Sequence, residues 1–142
     1  MFIGNYQHNI DLKGRLSIPA KLRNLIKDSV VLSRGLDGCL ELRTPEEFDK
    51  YANKFLAQSS NSQQSRNYRR LLFANSSTVE IDSANRILIP ANFKQMASLS
   101  KEAVIIGMGD HIEIWDQKAY DQFNEDNFDK FTELAEAMDN DH

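Results

Sequence analysis

The chain is 142 residues long, with 41% hydrophobic and 27% charged residues. That is enough for one domain, or two very small ones, with a packed core, and it does not fit a disordered segment. The formal net charge of −4 argues at first sight against a nucleic-acid partner, and no apolar run approaches the ~20 residues of a membrane helix.

The charge is unevenly placed. Residues 1–43 carry a balance of +3, 44–65 of −1, 66–95 of +3 and 96–142 of −9. A split of this kind turns one face toward an anion and another away from it. The start, MFIGNYQHNIDLKGR, lacks the charged-then-apolar order of a secretory signal, and the single cysteine, Cys39, excludes an intrachain disulfide. Together they point to a reducing cytoplasm. His8, His111 and His142 with one cysteine make no zinc-ligand spacing, so no metal or other cofactor is expected.

In chain order, 2–10 reads as a strand. The segment 11–14 has turn chemistry: an Asp carboxylate accepts from backbone N–H groups two or three residues on, and Gly14 takes positive φ freely. A short strand returns over 15–18. Pro19 suits a first helical turn, and 21–26 places Leu22, Leu25 and Ile26 on one helix face. Strands over 30–33 and 39–43 flank an RGLDG turn. Thr44 with Glu47 makes a capping box and Pro45 a first helical residue, ahead of Phe48, Tyr51 and Phe55 at helical spacing. The run SSNSQQS (59–65) reads as a polar linker. A helix carrying Arg66, Arg69 and Arg70 follows over 66–73.

The elements then recur. IDLKGRLSIPAKLR (10–23) and IDSANRILIPANFK (81–94) share six of fourteen positions at an offset of 71, and unrelated sequence would match at roughly one. Asn85 stands where Gly14 does, the non-glycine residue that best tolerates a left-handed backbone. At an offset of 72, Leu40-Glu41-Leu42 matches Ile112-Glu113-Ile114. Strands are expected at 103–106 and 111–115, and Asp116 as a helix cap before Tyr120 and Phe123. Phe128, Phe131, Leu134, Ala135 and Met138 mark an amphipathic, acidic final helix, and the closing DNDH reads as disordered.

Neither ~45-residue unit can bury its own apolar faces. Two copies can close on each other, which predicts one mainly β, α+β barrel with pseudo-two-fold symmetry and its helices outside. Arg15 and Arg86 each follow an Asp by four residues in a tight turn. Such an arginine, braced by Asp11 or Asp82, offers a rigid fork to a phosphate or a guanine edge. Lys13 adds charge to the first turn, and Lys21 lies on the helix after it. No constellation of nucleophile, base and orienting group meets the criteria for catalysis, so no enzyme is expected.

The opening MFIGNYQHNIDLKGRLSIPAKLR resembles the MraZ family of bacterial transcriptional regulators, and IDSANRILIP resembles that family's second copy. The resemblance covers residues 1 to about 125. It implies the double-split, swapped-hairpin β-barrel shared with AbrB and the MazE antitoxins, with AbrB-like repeats over 1–57 and 76–127. Residues 58–75 would be linker and helix, and 128–142 an acidic tail. It further implies sequence-specific binding of double-stranded DNA at short tandem repeats upstream of the division and cell-wall gene cluster. The DNA contact would fall to Asp11/Arg15 and Asp82/Arg86, in ring-shaped homo-oligomers associated with the nucleoid in the cytoplasm. Membranes and small-molecule substrates have no part in this reading. Asn85 replaces the family's usual glycine and the second turn lacks a lysine, so that turn is expected to be stiffer and to grip DNA less. The acidic C-terminus supports a competing reading, an antitoxin-like protein–protein interaction module.

Overall fold

The computed structural model describes residues 1–58 and 61–139. Among these residues are eight strands: β1 (Asn5–Asn9), β2 (Arg15–Ser17), β3 (Ser29–Arg34), β4 (Leu40–Arg43), β5 (Ser76–Glu80), β6 (Arg86–Leu88), β7 (Glu102–Gly107) and β8 (Ile112–Asp116). The helices are α1 (Ala20–Arg23), α2 (Pro45–Leu56), α3 (Gln63–Ala74), α4 (Ala91–Met96), α5 (Gln117–Asn127) and α6 (Phe131–Asp139), with a 3₁₀ turn at Phe128–Lys130. This is the mixed α+β fold expected from two repeats.

The strand pairing exchanges elements between the halves. One antiparallel sheet runs β1-β7-β8-β4-β3-β5, and β2 pairs with β6 in a separate ribbon. The first strand of each half therefore leaves its own hairpin and joins the other half's. The pseudo-two-fold axis passes between β4 and β8, where Glu41 faces Glu113. It passes again between β2 and β6, where Leu16 faces Ile87. Among the described residues the strands fall into these two hydrogen-bonded sets.

Alternation along the strands sets the layers. Leu16 and Ile87 of the ribbon pack with Val30, Leu32, Leu40, Leu42, Ala103, Ile105, Ile112 and Ile114 of the sheet, and Phe93, Ile89 and Leu22 close the same core. The other sheet face carries Cys39, Glu41, Arg43, Val104, Glu113 and Trp115, and the longer helices lie over it. Symmetry is visible there too. The Arg43 guanidinium sits 3.6 Å from the Tyr51 ring centroid of α2. At the equivalent positions Trp115 stacks on Phe123 of α5, with centroids 5.5 Å apart. Trp115 is thus a packing residue, buried under Tyr120 and Phe123.

Several local expectations change. Helix α1 is only four residues long. Beyond it the chain continues in tight turns, Leu25 N–H to Leu22 O and Ile26 N–H to Arg23 O. Pro19 and Pro90 stand at N-cap positions, one residue before their helices. Thr44 Oγ1 accepts from the Glu47 backbone N–H at 3.2 Å, while the Glu47 carboxylate meets Lys50 at 3.3 Å. Asp116 precedes α5 without capping it; its Oδ1 instead accepts from the backbone and hydroxyl of Ser100. Helix α3 begins at Gln63, inside the stretch read as linker; residues 59–60 of that stretch lie outside the described residues. So does most of the DNDH terminus, of which Asp139 ends α6.

Candidate nucleic-acid interface

The two Asp-x-x-x-Arg turns have the same hydrogen-bond pattern. Asp11 Oδ1 accepts from the backbone N–H of Lys13 (2.9 Å) and Arg15 (2.8 Å), and Oδ2 accepts from Arg15 Nε at 2.7 Å. Asp82 Oδ1 accepts from Ala84 and Arg86, both at 2.9 Å, and Oδ2 accepts from Arg86 Nε at 3.0 Å. The Asp carboxylate thus closes the turn and holds the arginine with its two oxygens. Backbone bonds from Gly14 N–H to Asp11 O and from Asn85 N–H to Asp82 O, each 3.0 Å, complete both loops.

Gly14 and Asn85 occupy the same left-handed position, at φ +83° and +61°. Two residue types meet one backbone demand, as the alignment of the repeats predicts. Each also locks its turn to the opposite half: the Gly14 carbonyl accepts from Ile89 N–H and the Asn85 carbonyl from Ile18 N–H, both at 2.9 Å.

The ribbon register brings the arginines together. Arg15 faces Leu88 and Arg86 faces Ser17, on either side of the inward pair Leu16 and Ile87. Arg15 and Arg86 are therefore diagonal neighbours on the outward face, about 7–8 Å apart at Cα by ordinary sheet geometry. Their side chains are 32% and 31% exposed. With Nε committed to the Asp, the terminal nitrogens of each guanidinium make no hydrogen bond among the described residues. A fork held at its base and open at its tip can donate two parallel bonds to one acceptor pair.

The charges fit that role. Backbone donation from Arg15 and Arg86 is the largest cause holding Asp11 and Asp82 below the ordinary carboxyl pKa, and the arginine side chains add to it. Lys13 is exposed in the first turn and Lys21 is exposed on α1. Arg23 and Lys94, which sequence reasoning left out, join them. Arg23 Nε donates to Asn85 Oδ1 at 2.9 Å and its Nη1 donates to the Ile26 carbonyl. Lys94 of α4 lies beside Gly14. A basic residue from the helix of each half thus flanks the turn of the other half. The local signal was the match of Arg23 with Lys94 at the last position of the repeated phrase. Leu12, fully exposed at the first tip, and Leu88, 55% exposed between the arginines, add an apolar element to the same face.

Cys39 is not a candidate nucleophile. It is buried, and burial is the main cause pushing its thiol far above the ordinary pKa, which leaves it inert. No helix among the described residues is long and apolar enough to cross a membrane.

Fold and site together define a two-repeat, strand-exchanged scaffold that presents paired, acid-braced arginine turns on one ribbon. The sequence profile of the MraZ family, described as "MraZ protein, putative antitoxin-like", matches residues 1–71 and again 72–141. The chain is 82% identical over 142 residues to the transcriptional regulator MraZ of Mycoplasmoides gallisepticum, with full coverage of both chains. It is 47% identical over 139 residues to that of Mesoplasma florum, covering 97% of this chain and 95% of the relative. To the MraZ of Alkaliphilus oremlandii it is 40% identical over 138 residues, covering 97% and 96%. The chain belongs to the MraZ family, a family of transcriptional regulators and not of enzymes.

Proposed function

We propose that this protein is a sequence-specific DNA-binding transcriptional regulator whose readers are the turns Asp11–Arg15 and Asp82–Arg86. Lys13 and Lys21 add phosphate contacts beside them. The relatives' shared designation as transcriptional regulators supports the general reading. The observation that carries the finer one is the pair of guanidinium forks, fixed at Nε and open at their tips on one ribbon face.

Each bidentate base contact is worth about 1–3 kcal/mol, so two forks do not make a tight complex. Several protomers engaging successive repeats supply the rest through effective concentration. The assembly is a homo-oligomeric ring on short tandem repeats upstream of the division and cell-wall genes, acting at the nucleoid in the cytoplasm. The excess acid of residues 96–142 repels DNA and limits binding to the face that carries the turns.

The deciding experiment measures binding to a duplex of direct promoter repeats and to a scrambled duplex, across a salt series. A specific complex keeps its preference while both affinities fall with salt. Folded Arg15→Ala protein should lose the preference. If it binds the repeats as tightly as the unaltered protein, the assignment to these turns is wrong.

A further inference from the structure

On the sheet face away from the ribbon, the pseudo-two-fold axis brings two carboxylates together. Glu41 of β4 and Glu113 of β8 are directly opposed in antiparallel register, an arrangement that is destabilising unless a cation joins it. Arg43 answers only half of the demand: its Nη1 donates to Glu41 Oε1 at 2.7 Å, with both side chains buried. Glu113 has no lysine or arginine partner among the described residues. Its Oε1 accepts from the Trp115 indole N–H at 3.0 Å, and its Oε2 lies 3.9 Å from His111 Nε2, beyond hydrogen-bond reach.

We propose that Glu41, His111 and Glu113 form a divalent transition-metal site, with chemistry suited to Zn2+, on the seam between the two halves. One ligand atom of each lies within 4.8 Å of the other two. Tetrahedral zinc bonds of 2.0–2.2 Å separate donor atoms by about 3.3 Å, a closure that side-chain rotation supplies. Each of the three side chains already has an orienting partner. Asp110 holds His111 Nδ1 at 2.7 Å, the carboxylate–histidine arrangement that typically backs a metal ligand. Arg43 holds one oxygen of Glu41 and Trp115 one oxygen of Glu113.

Two further observations point the same way. Three carboxylates, Asp110, Glu41 and Glu113, outnumber the one guanidinium, Arg43, in this pocket, an acid excess that a divalent ion offsets. Ser33, register-paired with Glu41 on the same face, is fully buried, and its Oγ has no hydrogen-bond partner among the described residues. In the proposed site it would bond a water in the remaining coordination position. The expectation of no zinc ligands rested on spacing in the chain. Glu41 and His111 are 70 residues apart, and only the pairing of β4 with β8 unites them.

The test uses the full-length protein, stripped with a chelator and then dialysed against zinc chloride at micromolar free concentrations. One Zn2+ per chain should be retained. The emission of Trp115, the only tryptophan, should change with the same midpoint. His111→Ala should abolish saturable uptake. Asp110→Asn, at an exposed position that leaves the fold intact, should weaken the midpoint by about 10–100-fold. His8→Ala should change neither. No saturable uptake by the unaltered protein overturns the site, as does uptake that both His111→Ala and Asp110→Asn leave unchanged.

Discussion

Arg23, in the first repeat, donates from Nε to the side-chain oxygen of Asn85 at the tip of the second repeat's turn, 2.9 Å away. The reverse link is missing, because the residue equivalent to Asn85 is Gly14, which has no side-chain acceptor to offer Lys94. The two turns are therefore alike in backbone, and Asn85 alone adds a side-chain tie to the opposite helix. Asn85→Gly removes the acceptor but relieves the left-handed strain; Asn85→Ala removes it and keeps the strain. Asn85→Ala should destabilise the fold by about 1–2 kcal/mol, and Asn85→Gly by less than half of that. Chemical denaturation of the two variants checks the order.

Arg15→Ala and Arg86→Ala should each weaken binding to the repeat duplex by about 1–3 kcal/mol. Arg15→Lys should restore little, since an ammonium is a point charge without the planar fork. Lys13→Ala should weaken binding to all duplexes alike and lower the salt slope by about 1. Titrations with repeat and scrambled duplexes separate these effects.

The turns should survive mild acid. Asp11 and Asp82 have folded pKa values below the ordinary 3.8. A depressed carboxyl contributes stability that is fully present above the unfolded value and is lost as the pH falls through the folded one. Carboxyl-carbon NMR titration should give midpoints below 3.8 for both residues, with the arginine Nε–H signals broadening over the same range. A midpoint at or above 3.8 would contradict the bracing geometry.

Leu16→Ala and Ile87→Ala should each cost about 2–5 kcal/mol of folding stability, because this facing pair seals the ribbon onto the core. The double variant should be non-additive, since the residues touch one space. Leu88→Ala, on the outward face, should change stability by about 0.5 kcal/mol or less. Denaturant midpoints at constant m-value measure all four proteins.

Much of this is legible in the amino-acid sequence. The repeated phrase foretold two equivalent hairpin tips, and the exchange of Gly14 for Asn85 foretold the left-handed position that both occupy. The match of Leu40-Glu41-Leu42 with Ile112-Glu113-Ile114 foretold the equivalent strands β4 and β8. What stayed hidden depends on pairing between the halves. No local pattern says that β2 binds β6, so the adjacency of Arg15 and Arg86 was not readable. The same holds for Arg23 beside Asn85 and for Glu41 against Glu113. Asp116 misled because its carboxylate had two suitors, and the Ser100 hydroxyl and amide won over the start of α5.

A chain holding one copy of the repeat would be left with β1 unpaired, and it could satisfy that strand only by finding a twin. In its strand pairing the protein is thus the covalent counterpart of a strand-exchanged homodimer. Within one chain the two copies need not be identical, although every strand pairs with one from the other half. That freedom allows a glycine at one tip, an asparagine at the other, and an arginine stacking on a tyrosine where its counterpart is a tryptophan on a phenylalanine.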